Sequence, residues 1–187
     1  MTAVPGSSSL SFPPWARIST ARMRHVEGVV GLLEDWAKAL GAADEEVERW
    51  RRAALLHDAV KDAPSDDLAA LADVSWGVPK LLHGPAAAVL AERAGETDPG
   101  VLDAVRYHSV GWAAWDEVGR MLYAADYLEP GRRGLPAALA RLREGFVDDP
   151  AAGLRDVARL RIGHHLRKRH RLLPETVAFW NALACGD

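Results

Sequence analysis

The sequence is poor in several things at once, and each shortage removes a class of protein. Its 187 residues hold a single cysteine, Cys185, almost at the C-terminus, so no intrachain disulfide can form and a thiolate zinc site is ruled out. Isoleucine, phenylalanine and tyrosine are scarce, with two, three and three copies, and no stretch shows the alternating pattern of a half-buried strand. Neither charge sign is in large excess: the formal net charge is -3 and the sequence pI about 6.2, which gives no bulk attraction to nucleic acid or to an anionic membrane. Charges or turn residues interrupt every apolar run well before the roughly 18 residues a membrane helix needs. A Gly-rich phosphate loop and internal repeats are also missing. The cytoplasm is therefore the expected compartment, and any anionic substrate has to be held by local groups.

The first sixteen residues carry no charge, but Pro5, Gly6, three consecutive serines and Pro13-Pro14 interrupt them, and no basic stretch precedes an apolar one. This predicts a flexible leader over 1–14 and not a signal peptide. The rest, 15–187, is 49% hydrophobic and 26% charged over the whole chain, enough for one well-filled core. Alanine, leucine and arginine dominate, and their side chains lose little rotamer freedom on a helix. The expected fold is all-α, an irregular helical bundle.

Spacings of three and four between Met23, Val26, Val30, Leu33, Ala37 and Leu40 predict a long first helix from Trp15, capped by Gly41. Asp44 is expected to cap a second helix in which Val47, Trp50, Ala54 and His57 share the inner face. Ser65 caps a short third helix. His83 sits just before a helix opened by Gly84-Pro85, and Asp98-Pro99 opens another that ends near His108 and Gly111. A helix from Ala114 to Leu128 carries Asp126 and stops at Glu129-Pro130, and Asp149-Pro150 and Pro174 open two more.

Within this frame, His57-Asp58 and Asp126 lie in apolar text, Ala-Ala-Leu-Leu-His-Asp and Leu-Tyr-Ala-Ala-Asp. A carboxylate buried there needs a counter-charge. Four histidines, His25, His57, His83 and His108, make a shared cation one solution and salt bridges to nearby arginines the other. A lone histidine on an apolar face is more often satisfied by a backbone partner, but the two aspartates resist that explanation. Imidazole nitrogens with carboxylate oxygens suit iron, manganese, zinc or magnesium. Such an ion polarises a phosphoryl oxygen and acidifies water, which phosphate-bond hydrolysis at neutral pH requires.

The order His25, His57-Asp58, Asp126 resembles the HD-domain phosphohydrolase superfamily, a helical fold that binds divalent metals. Four stretches are more specific: Leu-Leu-His-Asp-Ala-Val-Lys at 55–61, Leu-His-Gly-Pro at 82–85, Tyr-His-Ser at 107–109 and Ala-Asp-Tyr-Leu-Glu-Pro-Gly-Arg at 125–132. Together they are similar to the YqeK-type family of symmetrical diadenosine tetraphosphate hydrolases, and the likeness runs from Arg22 to Asn181. It implies an HD-domain helical bundle with an iron-containing centre, which cuts diadenosine tetraphosphate (Ap4A) into two ADP by attack of metal-activated water.

By motif position the resemblance makes His25, His57, Asp58 and Asp126 metal ligands, and Asp58, His83 and His108 the catalytic set. His83 and His108 either hold a second metal or contact phosphates. Arg22 and Lys61, one turn from His25 and His57, are expected on the phosphates, as is Arg132 with its bidentate fork. Ser109, Thr176 and Asn181 fall where the family contacts its substrate. Two departures stand out: Ser109 replaces a usual threonine and keeps its hydroxyl, and Trp180 stands where tyrosine or arginine is usual, either stacking on a base or filling the core. The alternatives within this resemblance are an HD phosphohydrolase of another nucleotide and a non-catalytic nucleotide-binding module. Whether the chain is a monomer or a homodimer stays open.

Two further features are read as structural. Arg155 to Arg171 gathers seven arginines and lysines with His164, His165 and His170; without aromatics it reads as a solvated helix face and not a nucleic-acid surface. Most of the seven tryptophans, Trp36 and Trp50 among them, are expected in the core.

Overall fold

The computed structural model describes residues 11–131 and 137–185. Arg132 and the first ten residues of the expected leader lie outside the described residues. Among the described residues all regular structure is helical, as the composition predicts: α1 (Thr20–Leu40), α2 (Asp44–His57), α3 (Ser65–Leu71), a short 3-10 turn (Pro79–Leu81), α4 (His83–Arg93), α5 (Pro99–Tyr107), α6 (Glu117–Leu128), α7 (Ala137–Glu144), α8 (Pro150–Arg167) and α9 (Pro174–Cys185).

Several boundaries differ from those expected, each for a local reason. α1 starts at Thr20 and not Trp15, because the segment before it pairs with the loop after α2. Arg17 N–H donates to Ala59 O at 2.7 Å, and Asp62 N–H donates to Arg17 O at 3.3 Å. Ser19, whose own N–H donates to Asp62 Oδ2 at 2.7 Å, is the N-cap of α1. Asp44 and Ser65 open their helices instead of capping them, since Ala43 and Pro64 hold the cap positions. His83 is already inside α4 as its first residue. α6 begins at Glu117 because Asp116, not Ala114, caps it through Val118 N–H. α7 was not expected at all, and none of its residues is buried. The caps Asp98 and Asp149 stand where expected, each followed by a first-turn proline.

α2 is the centre of the bundle, packing against α1, α4, α5 and α6. Its inner face, Trp50, Ala53, Ala54 and His57, is small enough at the alanines for neighbours to come close. The main core joins Val26, Leu33 and Trp36 of α1 to Trp50, Leu122 and Phe146, with Trp36 stacked on Phe146 at 4.1 Å between centroids. On the outer part of α2, Arg49 makes a bidentate pair with Asp98 (2.6 and 3.1 Å) and also reaches Asp116 at 2.7 Å and Glu46 at 2.8 Å. One guanidinium thus ties α2 to the capping carboxylates of α5 and α6. No helix of the described residues is long and apolar enough to cross a membrane.

Candidate metal centre

The inner end of α2 delivers His57 as its last residue and Asp58 as its C-cap, and five other elements or loops aim side chains at the same point. Three imidazoles are set by one device. Nδ1–H donates to the carbonyl three residues earlier: His57 to Ala54 O at 2.6 Å, His83 to Lys80 O at 2.9 Å and His108 to Val105 O at 2.8 Å. That fixes the tautomer and leaves each Nε2 with its lone pair turned inward. The close approach of α4 to α5 depends on Gly84, where a Cβ would meet Val105 O at 2.8 Å and Arg106 O at 2.9 Å. It brings His83 Nε2 to 3.0 Å from His108 Nε2.

The donor atoms form two groups. His25, His57 and Asp126 make one, and Asp58, His83 and His108 the other, with the atoms of each within 4.8 Å of one another. Asp58 presents one oxygen to each group: Oδ1 lies 3.1 Å from His83 Nε2 and 3.6 Å from His108 Nε2, whereas Oδ2 lies 3.7 Å from His57 Nε2 and 4.0 Å from His25 Nε2. His25 Nε2 is 3.1 Å from Asp126 Oδ1.

Electrostatics test whether these residues fit a cation. Burial pushes the His57 and His108 pKa values below the ordinary imidazole value, His108 to about 4, against the pull of Asp58. Both are therefore neutral at pH 7. The Asp58 carboxyl is held well below its usual range although burial opposes this, by charge and hydrogen bonds that His57, His108 and His83 offer when protonated. Histidines that are neutral cannot balance that charge. Arg22, whose NH1 donates to Asp58 Oδ2 at 2.8 Å, and Lys61 at 3.9 Å are the nearby permanent cations. His57 Nε2 is buried and has no hydrogen-bond partner, a cost of about 1–3 kcal/mol for an imidazole nitrogen left unpaired. A divalent ion satisfies the orphaned nitrogen and matches the converging imidazole nitrogens and carboxylate oxygens, so the donor set fits one.

The expected site residues are thus brought together, with three exceptions. Thr176 is buried and its hydroxyl donates to Val110 O at 2.8 Å. Asn181 lies exposed on α9. Arg132 is outside the described residues. Arg22 and Lys61 do flank the site, Lys61 Nζ donating to His83 Nε2 at 2.9 Å, and Ser109 Oγ lies 3.0 Å from His108 Nε2. Burial and the neighbouring Arg22 and Arg161 lower the Lys61 pKa, against the charge of Asp58.

Two residues at the site were not anticipated. Glu129, read as a helix terminator, is 3% exposed, and its Oε2 lies 3.1 Å from His25 Nδ1. Arg161, read as part of a solvated face, lies over the Tyr123 ring at 4.2 Å and reaches Asp126 Oδ2 at 3.4 Å. Its spacing from Leu154, Val157 and Ala158, all buried on α8, carried a signal, since residues 154, 158 and 161 share a helix face.

Fold and site together define an all-α HD-domain hydrolase. The model of the HD domain matches residues 22–131, more than half the chain, and the chain belongs to that family. Among similar proteins, a symmetrical bis(5'-nucleosyl)-tetraphosphatase of Bacillus subtilis is 27% identical over 179 residues, covering 91% of this chain and 94% of that one. Another of that name, from Halalkalibacterium halodurans, is 28% identical over 170 residues, covering 87% and 88%. A crystal structure from Clostridium acetobutylicum, described as a "predicted HD superfamily hydrolase involved in NAD metabolism", matches with TM-score 0.80 and 25% identity over 91% of this chain and 92% of that one.

Proposed function

We propose that the protein is a metal-dependent phosphoanhydride hydrolase that cuts Ap4A in the middle of its phosphate chain to give two ADP. The observation that carries the reading is the pair of converging donor groups divided by Asp58 and containing an orphaned imidazole nitrogen. The similar proteins named symmetrical bis(5'-nucleosyl)-tetraphosphatase supply the substrate.

In this reading His25, His57, Asp58 and Asp126 would hold one divalent ion, iron by the resemblance, and His83 and His108, beside Asp58, would hold a second ion or contact the phosphates. When bound, such ions act as Lewis acids toward a phosphoryl oxygen and lower the pKa of water. The rest falls to the chain. Arg22 and Lys61, which flank Asp58 and His83, are the cations that would neutralise the phosphates. Ser109, its hydroxyl beside His108, is placed to hydrogen-bond a phosphate oxygen. Water adds across the central P–O–P link: the attacked phosphorus gains an OH group, and the second ADP leaves with the bridging oxygen, which takes up a proton. The enzyme works in the cytoplasm, where a solitary thiol such as Cys185 stays reduced.

The test is a substrate panel with protein loaded with iron or manganese. Ap4A should give ADP alone, and in 18O-water one label should appear per two ADP. ATP plus AMP, or release of inorganic phosphate, would overturn the symmetrical cut. Preference for NAD or for a cyclic nucleotide would overturn the substrate while keeping the site.

A further inference from the structure

We infer that Glu129 is a positioning residue of the metal centre, fixing the His25 imidazole through Nδ1 so that Nε2 faces the cation; the missing side chain of Gly28 makes room for it. The inference rests on the metal-centre reading above. Three of the four site histidines are oriented by backbone carbonyls of their own or the preceding turn. His25 is the exception. Its Nδ1 partner is the carboxylate of Glu129, more than a hundred residues away in sequence, so the aim of His25 is only as good as the placement of that side chain.

Glu129 is held accordingly. It is 3% exposed and lies just after α6, where Oε1 accepts from Gly131 N–H and Oε2 faces His25. Across α1, a methyl group at Gly28 would run into Oε1, Cδ and Cγ of Glu129. A glycine inside a helix costs about 1 kcal/mol relative to alanine, and here that cost admits the carboxylate. A carboxylate on the far nitrogen of a ligating imidazole fixes the ring and strengthens the other nitrogen as a donor.

The measurement is manganese(II) titration of the full chain, free ion being read by electron paramagnetic resonance, beside the thermal midpoint of the metal-free protein. Glu129→Ala should weaken manganese binding roughly 10- to 100-fold. Glu129→Gln should weaken it less, because its amide oxygen can still accept from His25 Nδ1–H. Gly28→Ala, which leaves the carboxylate but displaces it, should shift affinity in the same direction and keeps the inference testable if Glu129→Ala does not fold. Equal manganese affinity in wild type and all three variants, with a lowered midpoint only, would mean a packing role and overturn the inference alone. A wild-type protein that binds no manganese overturns the metal-centre reading and this inference with it.

Discussion

The two ends of α2 carry polar clusters of different make-up, a guanidinium among carboxylates at one and histidines among carboxylates at the other. Around Arg49 the guanidinium is fully engaged, by Asp98 in two bonds, by Asp116 and by one oxygen of Glu46, whose second oxygen is buried without a hydrogen bond. Around His57 and Asp58 imidazole nitrogens converge on carboxylate oxygens, and His57 Nε2 is buried with no hydrogen bond. A closed network is a structural tie. An open one of converging imidazole nitrogens and carboxylate oxygens is a metal donor set, because the missing partner has to come from outside.

The largest effect should come from removing the residue that divides the open cluster. Asp58→Ala takes away an oxygen from each donor group, so Ap4A turnover should fall at least about a thousandfold, the scale of several kcal/mol of lost transition-state stabilisation. Manganese binding should fall with it while the helical circular dichroism stays. A variant that keeps both ion and turnover would erase the distinction between the clusters.

A pH series on the metal-free protein separates the clusters next. His57 and His108 have pKa values lowered by burial, His108 to about 4. Below pH 6.5 the unfolded chain takes up protons that the folded chain refuses. The stability these histidines contribute is therefore full above about 6.5 and is lost as pH falls toward 4, on the order of 3 kcal/mol for His108. His25, raised by Asp126 and Glu129 against burial, has the opposite sign and contributes most below 6.5. Asp98, lowered chiefly by its bond to Arg49, keeps its contribution until the pH drops below about 3.8. Urea midpoints measured with chelator from pH 7 to 4.5 should decline; a flat profile would contradict the neutral, buried state of His57 and His108.

The smallest effect belongs to the closed cluster. Arg49→Ala should cost about 1–2 kcal/mol, mainly by stranding the partly buried Asp98, Asp116 being exposed, and leave manganese affinity unchanged. A loss of metal affinity comparable to that of Asp58→Ala would show that the two ends of α2 are not independent.

Much of this was legible in the sequence, and the reasons differ by residue. His57 could be turned inward because Trp50, Ala54 and His57 keep one helical rhythm, and Asp126 could be placed because it sits in an apolar stretch where a bare carboxylate needs an explanation. Helix starts were legible where aspartate stands before proline, at 98 and 149, and slipped where a tertiary bond intervenes, as Arg17 with Ala59 does at the start of α1. Glu129 was missed because its burial comes from α1 crossing beside it; the available signal was Gly28, a helix-interior glycine with no turn to justify it. α7 was missed because it is only two turns long and buries none of its residues fully; Leu139 and Leu142, three apart and packed on the main core, were its available signal.

The short backbone pairing between the segment ahead of α1 and the loop after α2 has a thermodynamic consequence. Ser19 and Asp62, 43 residues apart in sequence, are joined by Ser19 N–H, while the Ser19 hydroxyl accepts from Arg22 N–H at the start of α1. The chain therefore commits its ordering entropy during folding, and an arriving ion meets ligands whose backbones are already in place. Ligands set in place during folding need no ordering when an ion binds, so the latch acts as preorganisation, although none of its residues is among the candidate ligands.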